Sequence, residues 1–83
     1  MDGREREKVL SILIDATVTV KEASGVQFAT WCLGKINNLK MFDPDVQKIS
    51  ALGRGYPGRE MDDELKIEHV ETLIKLGVVK LPE

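Results

Sequence analysis

The sequence predicts a mainly α domain, a compact bundle of about four helices occupying residues 1–83 as a single unit. A minor two-stranded ribbon joins it if Thr17–Val20 pairs with Val78–Leu81. Three observations carry this reading. Apolar residues recur at spacings of three and four along several stretches, which sets them on one helical face. Residues suited to starting a helix stand at Ser24, Asp43 and Asp62. Three glycines and a proline crowd into Gly53–Arg59, which punctuates the chain between helices.

The first helix is expected over Arg4–Asp15, with Val9, Ile12, Leu13 and Ala16 on one face. Asp2, Glu5 and Glu7 stand near its positive end, where carboxylates are favoured. Thr17–Val20 either forms a short strand or carries the helix on to Ala23. Its β-branched side chains favour the strand. Ser24-Gly25-Val26-Gln27 reads as a capping box that opens a second helix running to about Lys40. Phe28, Cys32, Ile36 and Leu39 form its apolar stripe, widened by Trp31 and Leu33. Gly34 weakens this helix and permits a close contact.

Asp43-Pro44 is an N-cap followed by a proline at the first helical position, where the missing N–H costs nothing. The short helix that follows turns Val46, Ile49 and Leu52 inward, and Gly53 is its expected terminator. The fourth helix begins at Asp62-Asp63-Glu64 and closes at Gly77, with Leu65, Val70, Leu73, Ile74 and Leu76 inward.

Composition narrows the function classes. A domain of this length buries only about 60–65% of its unfolded surface, so a deep ligand cavity would remove core it needs. The apolar runs are a few residues long, against the roughly 20 needed to cross a bilayer. The charge-alternating N-terminus is unlike a signal peptide, so a cytoplasmic location without membrane contact is expected. A net charge of −2 argues against bulk nucleic-acid binding. The charge is nevertheless uneven. Leu33–Arg59 holds five cations against Asp43 and Asp45, a net of +3. Glu60–Lys75 holds six carboxylates against Lys66 and Lys75, a net of −4. Such asymmetry orients a binding face.

Chemistry-bearing residues are few. Cys32 is the only cysteine, so neither an internal disulfide nor a cysteine-based zinc site forms within one chain. It reads as a buried small hydrophobe. His69 is the only histidine, and Glu68 and Glu71 beside it favour a charged, solvated imidazole at the surface or its boundary. Asp62, Asp63 and Glu64 lack the spacing of a calcium loop and are explained by the helix start, as are Asp43 and Asp45. No cofactor motif is present, and an enzyme is not expected. Met41 and Phe42, with Phe28 and Trp31, exceed what so small a core accommodates, which leaves aromatics for self-association into a homo-oligomer.

The second half resembles the end of a winged-helix domain. In that scheme Asp43–Leu52 is the first helix of a helix-turn-helix, Asp62–Leu76 the recognition helix, and Leu76–Leu81 the turn into the wing. Thr17–Val20 is then the strand after helix one. The resemblance implies a nucleic-acid-binding regulator. The sequence departs from it in the long connector Gly53–Met61, in the carboxylates Glu68 and Glu71 on the would-be recognition helix, and in the short wing.

The residues themselves favour a non-enzymatic interaction or regulatory module that docks a partner protein. Its expected site is the glycine-rich loop with Arg54, Tyr56 and Arg59, supported by Lys35 and Lys40. Arginine and tyrosine are favoured anchors at protein interfaces. Nucleic-acid binding is the alternative.

Overall fold

A computed structural model describes residues 3–54 and 61–82. Among these residues the chain forms four α-helices: α1 (Gly3–Leu10), α2 (Gly25–Lys35), α3 (Pro44–Ser50) and α4 (Asp63–Lys75). A single 3₁₀ turn, Ala51–Arg54, continues α3. No strand occurs among the described residues.

The helix α4 is the centre of the bundle. It contacts α1, α2 and α3. Seven of its thirteen residues are buried: Leu65, Lys66, Ile67, His69, Val70, Thr72 and Leu73. The core it organises holds Val9, Val20, Phe28, Cys32, Val46 and Ile49 at or near zero exposure. Burying each such side chain stabilises the fold by about 1.5–3 kcal/mol relative to leaving it in water.

The expected helix starts are present with their chemistry. The Ser24 hydroxyl accepts from the Gln27 N–H at 3.1 Å, and the Gln27 side chain accepts from the Ser24 N–H at 2.9 Å, a complete capping box. Asp43 accepts from the Asp45 N–H at 2.8 Å, with Pro44 in the first turn. Asp62 accepts from the Leu65 N–H at 2.8 Å. The end of α4 is equally specific. Gly77 takes φ 81°, a left-handed conformation that favours glycine. The Gly77 N–H donates to the Ile74 carbonyl and the Val78 N–H to the Leu73 carbonyl, which together form a Schellman motif.

Five expectations are corrected. The first helix stops at Leu10 rather than Asp15, because residues 12–20 hydrogen-bond to one another instead. The Ile14 N–H donates to the Val18 carbonyl, the Val20 N–H donates to the Ile12 carbonyl, and Leu13 bridges Thr19 in antiparallel fashion. Asp15 holds the bend by accepting from the Thr17 N–H at 3.1 Å. The β-branched run does pair, but with the segment just before it, and Val78–Leu81 forms no strand.

The second helix ends at Lys35, five residues short of Lys40. Asn37 and Asn38, which favour turns over helix, follow it, and the Leu39 N–H donates to the Ile36 carbonyl. Gly53 does not terminate α3 in a left-handed conformation. It lies within the 3₁₀ turn, where a β-carbon would stand 3.4 Å from Leu33 Cδ1, so it serves close approach to α2.

His69 is the fifth correction. It is 1% exposed rather than solvated, because its position on α4 faces the core and not the flank shared with Glu68.

Candidate functional site

Of the sequence-derived docking residues, Lys35, Lys40 and Arg54 are described, and these three do not converge. Arg54 is exposed at the end of the 3₁₀ turn, whose Gly53 packs on Leu33 of α2. Lys35 lies over the Trp31 ring, with Nζ 5.8 Å from the centroid. Leu33 and Lys35 are two helical positions apart, about 200° around the axis, so Arg54 and Lys35 stand on different sides of α2. Lys40 precedes α3 and Arg54 ends its 3₁₀ extension. That separates them by roughly 18 Å of helix. Tyr56 and Arg59 lie outside the described residues.

What the structure does assemble is the connection between α2 and α3. Leu39 packs against the core. The Asp43 N–H then donates to the Lys40 carbonyl at 3.2 Å, closing a turn with Met41 and Phe42 at its two central positions. Asp43 goes on to cap α3. The turn is thus fixed at both ends by the fold, yet Met41 is 58% and Phe42 76% exposed. Lys40 Nζ lies 6.0 Å from the centroid of the Phe42 ring, a cation–π contact. Central turn positions ordinarily carry glycine, asparagine, aspartate or proline. A methionine and a phenylalanine held there contribute little to the core.

The charges along α3 and α4 near this turn are partly paired with one another. Lys48 pairs with Glu68 at 3.0 Å and Lys75 with Asp45 at 3.2 Å. These contacts pair the two cations Lys48 and Lys75 with Glu68 and Asp45 across α3 and α4. Lys35, Lys40 and Arg54 form no ion pair among the described residues. Sequence reasoning named Lys40 and counted Met41 and Phe42 as surplus aromatic and apolar bulk. The signal that joins them is the position of Met41-Phe42 directly before the Asp43-Pro44 helix start, which obliges the pair to occupy a turn.

Residues that suggest chemistry are occupied structurally. Cys32 is fully buried, and burial pushes its thiol up to about 12, far from a nucleophilic thiolate. His69 Nδ1 lies 2.8 Å from the Leu65 carbonyl. A carbonyl only accepts, so Nδ1 carries the proton. Lys66 is buried, and its ammonium donates to the carbonyls of Lys21 and Ala23. Among the described residues no three His, Cys, Asp or Glu side chains are grouped as a metal ion would require. No helix of the described residues is long and apolar enough to cross a membrane.

A second surface feature lies on α2. An open groove of about 340 Å³ is lined by Ile14, Asp15, Val26, Gln27, Thr30 and Trp31. Val26 on its wall is 78% exposed. No family model, curated protein or solved structure matches the chain.

Proposed function

We propose that this chain is a non-enzymatic docking module that engages a partner protein through the turn Lys40–Asp43. The observation that carries the reading is the exposure of Phe42 and Met41 on a turn that a backbone hydrogen bond closes and the Asp43 cap joins to α3. Such preorganisation lowers the entropy lost on binding. Phe42 and Met41 supply the apolar anchor, and Lys40 favours a partner surface that offers a carboxylate beside an apolar pocket. Arg54, Tyr56 and Arg59, with Lys35, remain a second candidate contact for a partner on the chemistry of their side chains alone. A cytoplasmic location and a regulatory role fit this reading.

The nucleic-acid alternative is the weaker one. A winged-helix regulator needs the face of its recognition helix free to enter a groove. In this chain α4 is the central core helix, and the face it leaves exposed carries Glu64 and Glu68. Both are paired, with Arg6 and Lys48, so this face offers no excess of positive charge to phosphates.

The test is co-purification from the native host with wild type, Phe42→Ser and Lys40→Glu. Loss of the same partner band in both variants, with circular dichroism unchanged, is the expected result. Retention of that band in both overturns the reading.

A further inference from the structure

We infer that the outer edge of the bridged segment, residues 12–15, takes an extended peptide of a partner protein as an added strand, and that this peptide carries a bulky apolar side chain next to a basic one. The edge is separate from the turn that holds Met41 and Phe42 and does not depend on it.

The backbone of Leu13 says what kind of occupant fits. The Ile14 N–H donates to the Val18 carbonyl at 2.9 Å and the Val20 N–H to the Ile12 carbonyl at 2.8 Å, and the bridge between these bonds pairs Leu13 with Thr19. In this antiparallel pattern the bridged residues turn their own N–H and C=O groups away from each other, so those of Leu13 point to the outer edge. Neither group is hydrogen-bonded among the described residues. On the opposite edge the Thr19 carbonyl accepts from the Ala23 N–H at 3.0 Å. The Leu13 side chain is also 61% exposed. A donor and an acceptor on one residue, fixed by the bonds on either side of it, match a second backbone in extended form about 4.8 Å away. A helix surface offers no such match, because its own N–H and C=O groups bond within the helix.

The side chains that follow Leu13 set the chemistry of the occupant. Ile14 and Asp15 line the open groove together with Val26, Thr30 and Trp31 of α2. Asp15 is the one charged residue among those that line it. Its Oδ1 accepts from the Thr17 N–H at 3.1 Å, and it forms no ion pair among the described residues. A peptide laid along this edge therefore sets an apolar side chain against Ile14 and Trp31 and a lysine or arginine beside Asp15. In strand addition the main-chain bonds supply affinity and the side-chain pockets supply selectivity. Here the open edge is short, so the binding is weak.

Trp31 is the only tryptophan, so its fluorescence reports on the groove in the full chain. The probe is the synthetic peptide acetyl-Lys-Val-Lys-Val-Lys-amide. The expected result is a saturable change in Trp31 emission, with a downfield shift of the Leu13 amide proton in the nitrogen–proton correlation spectrum. Methylating every backbone nitrogen of the peptide keeps its side chains and should abolish both signals. Asp15→Asn keeps an oxygen for the Thr17 N–H, so the fold stays intact, and should weaken binding about tenfold. The peptide with glutamate in place of lysine should not bind. No change in emission overturns the inference, as does a change that leaves the Leu13 amide unmoved or survives methylation of the peptide. A Leu13 amide that is protected in the peptide-free chain and released on dilution also overturns it, because a second copy then occupies the edge.

Discussion

The Lys66 ammonium donates to the Ala23 carbonyl at 2.6 Å, across 43 residues of sequence, and to the Lys21 carbonyl at 3.1 Å. Lys66 belongs to the central helix α4, and the two carbonyls belong to the turn that leads into α2. A buried lysine thus fastens the irregular segment 11–23 to the core. Replacing Lys66 by methionine keeps the apolar stem and leaves two carbonyls without that donor. The expected cost is about 1–3 kcal/mol, read as a lowered urea midpoint. An unchanged midpoint would show that water replaces the ammonium without loss.

Cys32 makes stability fall at high pH. Its ordinary value is 9.0, and burial raises it to about 12 in the folded chain. The folded state therefore keeps the proton while the unfolded state releases it. The contribution is fully present below pH 9 and declines by roughly 1.4 kcal/mol per pH unit from pH 9 toward 12. Other groups titrate in the same window, so the measurement is the difference in unfolding free energy between wild type and Cys32→Ala. That difference should shrink between pH 9 and 11, and a constant difference would show that the thiol does not titrate on unfolding.

Two glycines should respond oppositely to alanine. Gly77 stands at φ 81° in the Schellman motif after α4, so Gly77→Ala should cost about 1–2 kcal/mol. Gly34 has open space around its β-position, and its alanine variant should stabilise the fold by up to about 1 kcal/mol. Thermal melts check both signs.

The capping box is a third stability element. Ser24→Ala removes the acceptor for the Gln27 N–H and should cost about 1 kcal/mol. Gln27→Ala leaves that bond in place and should cost less. Equal losses would mean that the reciprocal bond to the Ser24 N–H matters as much as the cap itself.

Local chemistry explains which parts of the fold were legible in the sequence. Ser24, Asp43, Asp62 and Gly77 act within four residues of themselves, so their roles follow from spacing alone. The stretch from Ser11 to Ala23 was harder, because helix and pairing offer similar numbers of hydrogen bonds there. Asp15 and the β-branched residues tipped it toward local pairing. His69 and Lys66 were misread or passed over because their burial depends on α4 being surrounded on several sides, which no local pattern encodes. The same holds for the candidate site. Lys35, Lys40 and Arg54 are close in sequence, yet helix geometry sends them to different sides. Met41 and Phe42 came into view as a site only once the turn was seen to hold them out of the core.

The central claim is that the Lys40–Asp43 turn is a protein-docking element and not a piece of the core. Its most direct test is photo-cross-linking in the native host with a photoreactive phenylalanine analogue at position 42, and separately at position 11 as a surface control. A discrete adduct with another protein from position 42 alone, lost when Lys40 is also changed to glutamate, is the result the account predicts. No adduct from position 42, or the same adducts from both positions, would contradict it.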